Sequence, residues 1–91
     1  MPEEKEYQIV FSPKTKKQLL VIPVKILKNI LERIAELRNT PVPYFADSVK
    51  GSDNTYKFRV SVYRVVYFIQ EDTITIYIKE VAHRKDAYDN Y

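Results

Sequence analysis

The stretch Tyr7-Gln8-Ile9-Val10-Phe11 alternates loosely and is rich in β-formers, which predicts a first strand. Ser12-Pro13 follows as a helix start, since Ser caps helices and Pro suits the first turn. A short helix from about Pro13 to Val21 is expected, and Pro23 can open a second. Within that second helix Val24, Leu27, Ile30, Leu31, Ile34 and Leu37 recur three or four residues apart along one face. Asn39-Thr40-Pro41-Val42-Pro43 stops it. The pair forms a helical hairpin with one apolar face.

Residues 41–54 read as a loop ending in Lys50-Gly51-Ser52-Asp53-Asn54. From Thr55 to Val60 the pattern alternates, with Phe58 and Val60 on one face and Lys57 and Arg59 on the other. Tyr63 to Ile69 is dense in Val, Tyr and Phe, as in a central strand, and Tyr63 and Tyr67 read as core residues. Gln70-Glu71-Asp72-Thr73 is a turn, and Ile74 to Val81 alternates again with Ile74, Ile76 and Ile78 on one face. Ala82 to Tyr91 is a polar tail with a helical turn. The order is β-α-α-β-β-β. That is an α+β fold with the helical hairpin packed on one face of a mostly antiparallel four-stranded sheet. The hairpin covers one face only, so Lys57 and Arg59 lie on an open face suited to a polyanion.

At 91 residues, 45% of them hydrophobic and 30% charged, the chain is expected to form one globular domain, 1–91. There is no Cys, so disulfide frameworks, thiolate metal sites and thiol nucleophiles are excluded. One His makes no His-rich metal site, and a single Gly, Gly51, makes no phosphate-cradling glycine loop. No metal and no small-molecule cofactor are expected. No apolar run approaches the ~20 residues that span a bilayer. Met1-Pro2-Glu3-Glu4-Lys5-Glu6 is acidic and polar, unlike a secretory signal, so the expectation is a cytoplasmic protein with no membrane partner.

Lys plus Arg is 15 and Asp plus Glu is 12, a net charge of only +3. The arrangement says more. Tyr7 to Leu31 carries five Lys and no acid, and Asn54 to Gln70 carries Lys57, Arg59 and Arg64 and no acid. Segregation of this kind makes a basic face on a nearly neutral protein.

Four pieces taken in order carry a resemblance: Lys50-Gly51, Tyr56-Lys57-Phe58-Arg59-Val60, Tyr63-Arg64-Val65-Val66-Tyr67, and His83-Arg84-Lys85-Asp86-Ala87-Tyr88. With the helical hairpin before them, they resemble the RelE toxins of the RelE/ParE superfamily, from about Tyr7 to Tyr88. The resemblance implies a compact endoribonuclease that enters the ribosomal A site, cleaves mRNA there and is blocked by an acidic antitoxin. It also implies the site: Lys57 and Arg59 on the strand after the hairpin, Arg64 on the next strand, and Arg84 and Tyr88 in the C-terminal segment. His83 is a further candidate, since some relatives use a His there as acid or base. Many relatives have a Gly in the turn before Tyr-Arg, where this chain has Ser61-Val62.

Such cleavage needs no metal. The 2′-hydroxyl attacks the adjacent phosphate, so RNA is cut and DNA resists. Arg64 is the expected phosphate clamp, since the guanidinium fork binds phosphate oxygens in pairs. Tyr88 would stack on a base. The chain offers no pair of catalytic His, so proton transfer stays open among Lys57, Arg84 and His83. Taken singly these residues have plainer readings: a solvated sheet face for Lys57 and Arg59, a rim or salt-bridged Arg64, a packing Tyr88, a capping His83. The alternatives are a ParE-like gyrase inhibitor without enzyme activity, or a toxin-like binding module that has lost activity. The intact basic set with Arg84 and Tyr88 favours the nuclease.

Overall fold

A computed structural model describes residues 6–85. The chain forms β1 (Gln8–Phe11), α1 (Pro13–Leu19), α2 (Val24–Glu36), β2 (Asp47–Ser48), β3 (Thr55–Val60), β4 (Tyr63–Gln70), a 3-10 turn (Glu71–Thr73) and β5 (Thr75–His83). The five strands make one sheet in the order β1-β5-β4-β3-β2. β1 runs parallel to β5, and the other neighbours are antiparallel. The α+β class and the helical hairpin are as expected. The sheet has five strands rather than four, because two residues within the 41–54 segment pair with β3: Asp47 with Lys57 and Ser48 with Tyr56. Two exposed polar residues carry no periodicity, so the pattern along the chain gives this strand no signal.

Ser12 and Pro13 start α1 as expected. The Ser12 side chain accepts the Thr15 N–H at 3.1 Å. The helix then closes the exposed edge of β5. β1 pairs with β5 only as far as Ile78. Beyond that point α1 supplies the partners: the Thr15 hydroxyl donates to the Ile78 carbonyl at 2.9 Å, and the Gln18 side-chain oxygen accepts the Val81 N–H at 2.7 Å. An open strand edge invites pairing with other chains, and this one is covered by side chains of a helix.

The core lies between the helices and one sheet face. Ile30, Ile34 and Leu37 meet Phe58, Val65, Tyr67, Ile69, Ile76, Ile78 and Val81. Two members of the expected α2 stripe fall outside it: Val24 is 80% exposed and Leu31 is 40% exposed. Val24 is the first residue of α2, and Leu31 lies one position round from Ile30, off the buried face. Ile26 packs at the margin instead.

β5 begins at Thr75 and not at Ile74. Ile74 closes the 3-10 turn with φ 49°, in the left-handed region. The strand also runs on to His83, into the stretch expected as tail. Its register breaks once. Tyr67 pairs with Ile78 but Val66 pairs with Glu80, so Lys79 is an extra residue. The bulge reverses which side chains face the helices, and for that reason Ile78 and Val81 both reach the core. No helix among the described residues is long and apolar enough to cross a membrane.

Candidate functional site

β3 and β4 join through the two-residue turn Ser61-Val62, which makes Val60 and Tyr63 partners and sets Arg59 directly opposite Arg64. Ser61 takes the left-handed conformation, φ 58°, that a Gly adopts without cost. The departure from the glycine expected there therefore leaves the turn geometry intact. Opposite residues of an antiparallel pair project from the same face. Lys57, two residues before Arg59, shares that face. The sequence thus places three cations on one patch of the open sheet face.

That patch borders a cavity of about 410 Å³ lined by Phe45, Asp47, Lys57, Phe58, Arg59 and Arg64. Arg59 is exposed, while Lys57 and Arg64 are half-buried on strands that hold them rigidly. Among the described residues neither Lys57 nor Arg59 has a carboxylate within ion-pair distance, and the three pairs present lie elsewhere. Like charges directly across a strand pair are destabilising. A fold that keeps Arg59 and Arg64 in that position concentrates positive field where a phosphate could enter, with two planar forks to hold its oxygens. Farther along the open face, among the described residues, lie the apolar Val10, Phe68 and Tyr77.

The C-terminal candidates divide. The Arg84 backbone N–H donates to the Val62 carbonyl, tying the end of β5 to the hairpin that carries Arg59 and Arg64, and its side chain is exposed. His83 pairs with Tyr63 and lies on the opposite face from Arg64, whose partner on β5 is Ala82. Its ring meets the Tyr63 ring edge to face at 5.3 Å, and Nδ1 accepts the Lys85 N–H at 3.1 Å. It borders a separate cavity of about 270 Å³ with Gln18, Val21 and Tyr63. The structure therefore joins Lys57, Arg59 and Arg64 and sets His83 apart. Tyr88 lies outside the described residues.

Two cavity-lining residues, Phe45 and Asp47, come from the segment expected as plain loop. Phe45 is fixed by the edge of Phe58, with ring centres 5.2 Å apart, and by the Arg33 guanidinium 4.6 Å from its ring centre. An aromatic beside Pro-rich sequence was the available signal. Among the described residues no three His, Asp or Glu side chains gather as a metal site. Tyr67, read as core, is fully buried, and its hydroxyl donates to the Pro41 carbonyl at 2.7 Å. Burial, with Tyr56 beside it, pushes its phenol well above the ordinary range.

The family model for the ParE toxin of the type II toxin–antitoxin system parDE matches residues 9–88. The chain belongs to this toxin family. It is 30% identical over 88 residues to the relative named "Putative toxin RelE1" of Methanocaldococcus jannaschii, covering 93% of this chain and 98% of that one. The RelB–RelE antitoxin–toxin complex of Methanococcus jannaschii contains a chain with TM-score 0.76 and 30% identity, covering 90% of this chain and 98% of that one. The isolated E. coli RelE toxin matches at TM-score 0.78 and 18% identity, over 92% of this chain and 93% of that one, a likeness of fold alone. As a RelE/ParE toxin, the chain has its cationic patch on the sheet face that the two helices leave uncovered.

Proposed function

We propose that this toxin is a ribosome-dependent endoribonuclease, a single domain that cleaves mRNA in the ribosomal A site, without a metal or other cofactor, and so stops translation in the cytoplasm. The observation that carries this reading is the directly opposed pair Arg59–Arg64 with Lys57 beside it, around one cavity. In the reaction the substrate's 2′-oxygen forms a bond to the adjacent phosphorus and loses its proton. The P–O5′ bond breaks and the 5′-oxygen gains a proton. A 2′,3′-cyclic phosphate and a 5′-hydroxyl end result. Negative charge gathers on the phosphorane oxygens, and Arg64, with Arg59, is placed to neutralise it from a preorganised strand. Lys57, which lines the same cavity, exchanges the proton. Arg84 assists from the C-terminal segment, and Tyr88 stacks on a base.

Relatives with this fold are found in complexes with RelB antitoxins, which supports a dedicated acidic antitoxin as the partner of this chain. A wrapping, partly disordered segment can cover much of a small protein. The opposed cations would attract its acids as they attract RNA.

The deciding experiment is primer extension on mRNA in a translating extract. Cuts at A-site codons are expected with the parent chain and lost with Arg64→Ala. The ParE name of the matching family model supports a second reading, a gyrase inhibitor. Intact mRNA with trapped gyrase–DNA cleavage complexes would decide for it.

A further inference from the structure

Beside the cationic patch stands an aromatic side chain that the fold does not use. Tyr44 is 92% exposed, more than any other large hydrophobic side chain among the described residues. A tyrosine so exposed buries almost nothing, so it contributes little to folding, yet the loop that carries it is firmly held. The Tyr67 hydroxyl grips the Pro41 carbonyl at 2.7 Å, Pro43 is buried, and the Ala46 N–H donates to the Pro43 carbonyl at 3.0 Å. Two prolines fix the backbone on the approach. Phe45, the next residue, lines the cavity of Lys57, Arg59 and Arg64. The rings of Tyr44 and Phe45 meet edge to face, centres 5.4 Å apart and planes at 84°. That contact leaves most of the Tyr44 ring open to solvent, next to the ring that lines the cationic cavity.

We infer that Tyr44 is a nucleobase-stacking subsite: it takes the flat face of a base next to the phosphate held by Arg59 and Arg64. Every base has a π-face, and a rigid, already exposed ring binds one with little loss of side-chain freedom. The loop supplies the rigidity, and the sheet supplies the charge. Stacking there would draw one base away from its neighbours and turn the backbone at the phosphate, as in-line attack requires. The inference rests on the nuclease reading.

The test compares the purified parent with Tyr44→Phe, Tyr44→Leu, Tyr44→Ala and Arg64→Ala in the translating extract. Cleavage rate is read by primer extension, and each variant is melted thermally. Tyr44→Phe should cut near the parental rate. Tyr44→Ala and Tyr44→Leu should lose about 5- to 150-fold, the worth of one base–aromatic stack. All three should melt with the parent. Parental cleavage by Tyr44→Ala, with Arg64→Ala inactive, would overturn the subsite and leave the nuclease reading standing. Equal rates for Tyr44→Leu and Tyr44→Phe would show plain apolar contact and overturn stacking. A lowered melting temperature matching the lost rate would make Tyr44 structural. Unchanged cleavage with weaker neutralisation by the acidic antitoxin would hand the ring to that protein. No cleavage by the parent would remove the nuclease reading and the subsite together.

Discussion

Replacing Arg59 by Gln should make the protein more stable and less active at once. Arg59 and Arg64 are partners across β3 and β4. Opposite residues hold their Cβ atoms about 4.5–5.5 Å apart, and such pairs are worth roughly 0.2–1 kcal/mol, unfavourable when the charges are alike. Arg59 is exposed, so solvent screens the repulsion and the lower half of that range applies. A domain of this size shifts its Tm by about 4–8 °C per kcal/mol, so the Arg59→Gln variant should melt about 1–4 °C higher in dilute buffer. At 1 M salt, where the screening length falls to about 3 Å, the gain should shrink toward nothing. Gln keeps most of the side chain's length and polarity, so packing changes little. Activity moves the other way. Removing one preorganised charge donor costs about 10²–10³ in rate, and with Arg64 still present the lower figure is expected. Calorimetry at two salt concentrations and primer extension measure the two effects on the same protein. A structural arginine would lower the melting temperature on replacement and leave the rate unchanged. An Arg59→Gln variant that melts lower in dilute buffer and cuts at the parental rate would refute a functional cation pair.

Ser61→Gly should stabilise the toxin by about 0.5–1 kcal/mol, the left-handed penalty of a residue with a Cβ less the chain entropy that Gly loses; urea unfolding measures it, and a loss of stability would show that the Ser61 side chain matters to the turn. Tyr67→Phe should cost about 0.5–1.5 kcal/mol at pH 7 by orphaning the Pro41 carbonyl. Because the folded phenol is raised above its ordinary value, its contribution is complete below about pH 10 and is lost as pH climbs toward the folded value. Urea unfolding at pH 7 and pH 11 should therefore show the gap between parent and Tyr67→Phe narrowing at the higher pH, and a gap that widens would contradict a buried neutral phenol.

Much of the fold was legible because its long elements carry strong periodicity. The α2 stripe of Ile30, Ile34 and Leu37 and the alternation of Phe58 with Lys57 and Arg59 both survive in three dimensions. The misses share one cause, which is that nothing local encodes them. β2 exists only because two polar residues lie along β3. Val24 reads as a core position and is bare, because spacing tells which side of a helix is apolar and not which of its turns are covered. Ile74 looks like the first strand residue, yet the chain must turn there and spends a left-handed β-branched residue doing so.

The site divides along the same line, and one residue decides its C-terminal part. The opposition of Arg59 and Arg64 follows from a two-residue turn at Ser61-Val62, which pairs Val60 with Tyr63 and each earlier residue with a later one. It could be counted from the sequence. The side of β5 could not. In an unbroken strand Ile76, Ile78, Glu80 and Ala82 would share the core face, and Val81 and His83 would share the face of Arg64. That arrangement would bury Glu80 and expose Val81. The extra residue at Lys79 removes the conflict: Val81 goes into the core, and Glu80 turns out to pair with Lys14 at 2.6 Å. The same step carries His83 to the Tyr63 side and leaves Ala82 as Arg64's neighbour. A requirement of packing, met by a bulge four residues earlier, thus decides that the imidazole is absent from the cationic cavity.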